Sequence, residues 1–270
     1  MKRLSIDYVS DLHLAFYLKA SKNDGFRNED IKEFIKNTIV PKIKGEILII
    51  AGDLSEYINS NIFFLNECAN HYDKVFYIAG NHEYYLSWII GMEMKKQYKE
   101  STNKILDITS SLEGNDKIIF LDRNEPLYHG LYNYNDFSIA GDTLWYYPKT
   151  IRDWYFYLAN SNDSRLIISK TDNIITKIKH LNKASITWYD SLPYYVDIIA
   201  THVPPLYNPQ SSKAKNGCYF TPVDIIKTDT WIYGHDHVKS SFQKNGCRFL
   251  SNPWGYHSTT FDIENIEITK

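Results

Sequence analysis

The stretch RLSIDYVSDLHL, residues 3–14, sets the reading of the whole chain. Its first seven residues, Arg3 to Val9, form an apolar-rich run with the length of a buried strand. The run leads into Asp11 and His13, one residue apart. A strand end is a costly place for a carboxylate beside an imidazole, because desolvation penalises both unless something pairs with them. The polar residues that close the other apolar runs supply the explanation.

Six further short runs stand out: EILIIA (46–51), KVFYIA (74–79), KIIFL (117–121), FSIAG (137–141), VDIIAT (196–201) and TWIYG (230–234). Residues 247–268 read as two or three more strands. Helical spacing intervenes where Ile31, Phe34, Ile35, Thr38 and Ile39 recur, with Asn28 as a plausible N-cap. Further helices are expected over 62–72, over a Lys-rich stretch at 92–112, and over 185–192. Strand–helix–strand alternation predicts right-handed crossovers around a mostly parallel central sheet. Residues 144–183 are the least periodic part and are crowded with aromatic side chains. No internal repeat or Pro/Gly/Ser linker divides the chain, so one domain over 1–270 is expected, with a cap or insert at about 144–183.

Bulk properties remove several function classes. Thirty basic against 32 acidic residues give a formal charge of −2, which advertises neither nucleic acid nor an anionic membrane as partner. The apolar runs are strand-length, so no membrane span is expected. Met1, Lys2 and Arg3 resemble the start of a signal peptide, but Asp7 and Asp11 interrupt what would be its apolar core. Cys68, Cys218 and Cys247 are odd in number and far apart, which suggests neither a disulfide framework nor a zinc ribbon. A reduced, cytoplasmic protein is expected.

The runs end alike. After the first come Asp11 and His13. EILIIA leads to Gly52-Asp53, KVFYIA to Gly80-Asn81-His82-Glu83, VDIIAT to His202, and TWIYG to Gly234-His235-Asp236-His237. In an open α/β sheet the carboxyl ends of the strands share one edge, and ligands bind beyond it. Singly, each of these residues would be an ordinary polar cap on a strand or helix. Histidine is one residue in thirty here, so a Gly-His-x-His arises by chance with odds of about 0.01, before a preceding strand is required. Nitrogen and oxygen donors without thiolates suit Mn²⁺, Fe²⁺, Co²⁺, Ni²⁺ or Zn²⁺. The donors are too many for one ion, and two divalent ions bridged by one carboxylate fit the count.

Asp11-x-His13, Gly52-Asp53, Gly80-Asn81-His82-Glu83, His202 and Gly234-His235-x-His237 resemble, in order and spacing, the motif set of the calcineurin-like metallophosphoesterases. The resemblance spans Asp11 to His237. It extends less specifically to residues 141–145 and 252–256, which are similar to stretches in a bacterial branch of phosphohydrolases. It implies a four-layer α/β/β/α sandwich with a mixed central β-sandwich. It also implies that Asp11, His13 and His237 hold one metal, that Asn81, His202 and His235 hold the other, and that Asp53 bridges them, with Mn²⁺ the first choice of ion. His82 becomes the catalytic histidine. Glu56 is a candidate to orient His82, and it stands where the serine/threonine protein phosphatases of the superfamily carry Asp-Arg-Gly, so a phosphoprotein substrate is disfavoured. Trp254 and Val203 replace the Arg and His often found in the bacterial branch.

Among the other candidates, Trp145 is expected near the site because it follows a strand end. Tyr146, Arg152 and Trp154 are read with it as a packed cap more readily than as a base-stacking platform. Lys95, Lys96, Lys99 and Lys104 are read as the solvated face of a helix. Asp236 is expected to point away from its flanking histidines. His71, His129, His180 and His257 match no motif.

The expected chemistry is hydrolysis of a phosphoester, most readily a phosphodiester of a nucleotide or related small molecule, by a hydroxide held between two metals. Bringing the pKa of water from 15.7 to about 7 is worth roughly 12 kcal/mol, against roughly 3–5 kcal/mol for proton donation by His82. A nuclease using the same site is one alternative, but it would need a basic groove. A non-catalytic interaction scaffold is another, since the retromer subunit of this fold works that way, although that subunit lacks the catalytic His.

Overall fold

The structure, a computed structural model, describes residues 1–21, 25–86, 98, 100–112, 114–212 and 216–270. The apolar runs form strands because both of their faces are covered, which is why they read as nearly continuous hydrophobic sequence. They divide between two mixed sheets, not one central sheet. In the first, β1 (Arg3–Val9), β4 (Ile47–Ala51), β5 (Lys74–Ile78) and β6 (Ile118–Phe120) are parallel neighbours in that order, and β13 (Glu264–Thr269) runs antiparallel beside β1. In the second, β8 (Phe137–Asp142), β9 (Ile198–Thr201), β10 (Thr230–Tyr233) and β12 (Cys247–Ser251) are parallel. Antiparallel edges β7 (Leu131–Tyr134) and β11 (Ser240–Lys244) close that sheet. A two-residue ribbon pairs β2 (Ala20–Ser21) with β3 (Gly25–Phe26).

Alternation along each strand builds the layers. Leu4, Ile6 and Tyr8 of β1, Ile47 and Ile49 of β4, and Phe76 and Ile78 of β5 meet Ile139, Ile198, Ala200, Ile232 and Leu250 of the other sheet. The opposite faces of the first sheet (Val9, Leu48, Ile50, Val75, Tyr77) pack on the helices Asn28–Thr38, Ile58–Ala69 and Ser101–Leu112. The outer face of the second, with Ile199, Trp231 and Phe249, packs on Trp188 and Tyr189 of the long helix Ile174–Ser191. The result is helices, sheet, sheet, helices.

Local details depart from the sequence reading. Asn28 is the first helical residue and Arg27 occupies the N-cap, its guanidinium bonding Asp30 instead of capping. The helix expected over 62–72 starts at Ile58 and stops at Ala69, and that expected over 185–192 is the end of Ile174–Ser191. Residues 144–183 hold the helix Ile151–Asn160, opened by a Thr150/Asp153 capping box, and the single turn Asp163–Leu166. Periodicity hid the first of these because Ile151, Tyr155 and Leu158 are exposed while Tyr157 is fully buried. Of the Lys-rich stretch, Lys95, Lys96 and Lys99 lie outside the described residues. Lys104 is not on a solvated face: it is 1% exposed, and its ammonium donates to the carbonyls of Glu56 (2.6 Å) and Tyr85 (2.9 Å). Among the described residues no helix is long and apolar enough to cross a membrane.

Candidate metal centre

The carboxyl ends of β1, β4 and β5 in one sheet meet those of β9 and β10 in the other, so the shared rim is built from two sheets. Past their strands, the loops after β1 and β4 stay paired: Asp11 N donates to Gly52 O (2.9 Å), His13 N to Asp53 O (2.9 Å) and Leu14 N to Leu54 O (3.0 Å). Gly234 N donates to His202 O (2.9 Å) along the second edge, and Gly255 N donates to Asp11 O (2.9 Å), which joins that edge to the first. Glu83, buried, locks the loops after β4 and β5 by accepting from the amides of Asp53 (3.1 Å), Leu54 (2.7 Å) and Gly80 (2.7 Å) and from the Tyr77 hydroxyl. Two glycines are demanded by proximity. A Cβ on Gly52, whose φ is +85°, would stand 2.4 Å from His202 Nδ1, and one on Gly80 would stand 2.1 Å from Asp53 Oδ1.

Five of the expected ligands, Asp11, His13, Asp53, His235 and His237, have left-handed backbones with φ between 44° and 75°. Non-glycine residues adopt this conformation at a cost, and they do so mostly where the surroundings enforce it.

The seven expected ligands converge as two overlapping clusters. In the first, ligand atoms of Asp11, His13, Asp53 and His237 all lie within 4.8 Å of one another. His13 Nε2 is 3.0 Å from His237 Nε2, and His237 Nε2 is 3.3 Å from Asp11 Oδ1. Burial, reinforced by His82, pushes the pKa of His13 down to about 3, so this ring is neutral and offers a lone pair. In the second cluster, Asn81 Oδ1 lies 2.9 Å from His202 Nε2 and 3.1 Å from His235 Nδ1. The far nitrogens of these rings face carbonyls, His202 Nδ1 that of Ala51 and His235 Nε2 that of Cys218, each at 2.9 Å. A carbonyl there is matched by an N–H, which leaves the other nitrogen of each ring, Nε2 of His202 and Nδ1 of His235, as the one that faces Asn81 Oδ1.

Asp53 stands between the clusters. Its Oδ1 accepts from the His82 amide (2.9 Å), while Oδ2 lies 3.4 Å from His202 Nε2 and 3.7 Å from His13 Nε2. The potential at this point is strongly negative: burial alone would lower His202, yet Asp53 and Asp11 raise its pKa to about 10. A divalent cation at this point would take the place of the His202 proton, and carboxylate, amide and imidazole atoms would then face it together, which is a donor set of N/O preference.

His82 lies beside the clusters. Its Nδ1 is 2.6 Å from Glu56 Oε1 and its Nε2 faces the cleft, 3.8 Å from Asp53 Oδ2 and 3.5 Å from the Tyr256 hydroxyl. Burial works against its charged form, but Asp53 and Glu56 outweigh that and raise its pKa to about 9. Its charged form is thereby favoured, and Nε2 is the nitrogen presented to the cleft.

The cleft itself encloses about 190 Å³ and is walled by Tyr85, Tyr146, Phe156, Tyr219 and Tyr256, with Asn160, Ser161, Asn162 and Asp163 from the segment expected as a cap. Trp145, expected near the site, is instead fully buried, packed edge-on against Tyr84, and does not line the cleft. The neighbouring Tyr146 does, its ring stacked on His235 at 5.5 Å and 25°. Arg152 is exposed, whereas Trp254 packs in the core against Phe34 and Phe261, and Val203 is fully buried. Asp236 turns away to accept from Asn208 (2.7 Å) and the Val238 amide. Sequence reasoning assigned no role to Glu83, although it closes the Gly80-Asn81-His82-Glu83 motif. It missed Asp163 and the Cys218 carbonyl, for which no motif gave a signal, read Tyr146 as part of a packed cap, and gave Tyr256 no role although it closes the 252–256 stretch.

A sequence model of the calcineurin-like phosphoesterase family matches residues 4–239, a span that contains every residue placed above in the two clusters. An uncharacterised protein of Acanthamoeba polyphaga mimivirus is 28% identical over 276 residues, covering 92% of this chain and 90% of that one. The crystal structure of a phosphopantetheinyl hydrolase from Mycobacterium tuberculosis is similar in fold, with a TM-score of 0.67 over 97% of this chain and 95% of the other, at 14% identity.

Proposed function

We propose, since the chain belongs to the calcineurin-like phosphoesterase family, that it is a dinuclear metal-dependent hydrolase of phosphodiesters of nucleotides or related small molecules. The observation that carries this reading is the convergence of carboxylate, amide and imidazole atoms on two points that share Asp53 Oδ2. Asp11, His13 and His237 would hold one divalent ion, and Asn81, His202 and His235 the other. The absence of thiolates from the set favours Mn²⁺, with Fe, Co, Ni or Zn as alternatives. When bound, such ions acidify water and draw charge from phosphoryl oxygens.

The chain's own groups do the rest. Asp53 Oδ1 is tied to the His82 amide, which leaves Oδ2 to both clusters. His82 presents Nε2–H toward the leaving oxygen, and Glu56 holds its ring in place through Nδ1. Aromatic walls at Tyr146, Phe156 and Tyr219, with the amides of Asn160 and Asn162, suit a planar substituent that stacks and hydrogen-bonds. Among the described residues no Lys or Arg lines the cleft, which favours a singly charged diester over a dianionic monoester. Three buried free thiols, Cys68, Cys218 and Cys247, support a reducing compartment, the cytoplasm.

Reconstitution with each candidate ion, then turnover of matched diester and monoester model substrates and of cyclic and linear nucleotides, tests the reading. Two equivalents of metal, a diester preference and near-complete loss of turnover in Asp53→Asn are expected. Trace metal uptake, or an Asp53→Asn variant as active as the wild type, overturns it.

A further inference from the structure

The segment 144–183 reaches into the centre through one buried carboxylate. Asp163 is 2% exposed. Its Oδ1 accepts a hydrogen bond from Asn81 Nδ2 (2.9 Å) and one from the Tyr85 hydroxyl, and its Oδ2 accepts from the Tyr146 hydroxyl. A carboxylate can only accept, so every proton in this network is directed toward it. Tyr85, whose O–H is directed at Asp163, has only lone pairs for its other neighbour, Asn81 Nδ2 at 2.9 Å. Asn81 therefore meets two acceptors on one side, and only its NH₂ can face them. Its carbonyl oxygen is left facing His202 Nε2 and His235 Nδ1. Which way an Asn amide points is decided by its partners, and here they permit one answer. The same anion, through Tyr146, holds the ring that stacks on His235.

We infer that Asp163 is a positioning residue, which fixes the Asn81 carboxamide with its oxygen toward the second cation. With three donors on its two oxygens, Asp163 serves as an orienting partner and not as a ligand. The inference rests on the dinuclear reading above, in which Asn81 is a ligand. Partners that orient a metal ligand contribute about 10- to 100-fold in metal affinity.

The test is titration of the full-length protein with Mn²⁺, monitored by calorimetry and by the magnetic-resonance signal of a coupled Mn²⁺ pair. Wild type should bind two equivalents. Asp163→Ala should lose about 10- to 100-fold in affinity at one equivalent and keep the other. Asp163→Asn, whose amide oxygen still accepts from Asn81, should recover most of that affinity. Tyr85→Phe, which keeps Asp163, serves if Asp163→Ala does not fold, and should weaken the same equivalent. If both equivalents weaken in parallel with the melting temperature, the role is general packing and the inference is wrong. A wild type with two equivalents and unaltered variants overturns this inference alone. A wild type that binds fewer than two overturns the dinuclear reading and this inference with it.

Discussion

Replacing Glu56 by Gln isolates what its charge does for His82. The amide keeps the shape and an acceptor oxygen for the Nδ1–H but removes the anion 2.6 Å from the ring. The side chains are only 19% and 8% exposed, so solvent screens the pair little. A hydrogen bond to a charged group is worth about 1.5–3 kcal/mol and a neutral one about 0.5–1.5 kcal/mol. The loss is then about 1–2 kcal/mol of imidazolium stabilisation, which lowers the His82 pKa from about 9 by about one, so turnover changes little at pH 7 and falls above about pH 8, where the variant ring loses its proton before the wild-type ring does. The fall should appear with alkoxide leaving groups, which need a proton, and almost vanish with p-nitrophenolate, which does not. His82→Ala should cost about 10²- to 10⁴-fold on the first class. Because Glu56 acts only through the ring, the double variant should be no slower than His82→Ala alone. Steady-state kinetics on a leaving-group series decides the matter. Equal losses on both substrate classes, or additive losses in the double variant, would refute the reasoning.

The same geometry sets two further outcomes. Chelation should lower the melting temperature, because an ion at 100 times its Kd adds about 2.7 kcal/mol, or about 5 °C for a chain of this length; an unchanged calorimetric melt would argue against a filled site. Burial lowers the Lys104 ammonium from 10.5 to about 8, although Glu56 and Glu83 oppose the shift. The unfolded chain therefore binds more protons between pH 8 and 10.5, and wild-type stability relative to Lys104→Met should rise across that window by up to about 3 kcal/mol. Urea denaturation of both proteins at pH 7.5 and pH 10 checks this, and a constant difference would contradict it.

The sequence disclosed the strands and the convergence of the candidate ligands for one reason. Each buried run is continuously apolar and then stops at polar residues whose only economical place is a rim, as with Ala51, Gly52 and Asp53. What it hid depends on contacts with no periodicity. Its place after a strand end marks Trp145 for the site, but Leu144, at φ +55°, turns the chain, and Trp145 lies in the core while Tyr146 faces His235. Asp163 sits on a single helical turn and acts across 82 residues of sequence on Asn81. Alternation of strands with helices points by itself to one central sheet, and only the family resemblance carried the two-sheet sandwich: among the described residues no helix lies between β6 and β7, but none lies between β9 and β10 either, so the lack of one does not mark the boundary.

The left-handed backbone at Asp11, His13, Asp53, His235 and His237 reaches past catalysis into how such a chain decays. An L-residue held this way is disfavoured by about 1 kcal/mol or more, and Asn and Gly tolerate it best. The loop shapes are fixed by the two sheets, so they would outlast any need for the imidazoles and carboxylates they carry. A descendant that abandons hydrolysis should therefore accumulate Gly and Asn at these five positions ahead of other residues. Such drift would be a record of lost activity legible in bare sequence, written by torsion angles and not by chemistry.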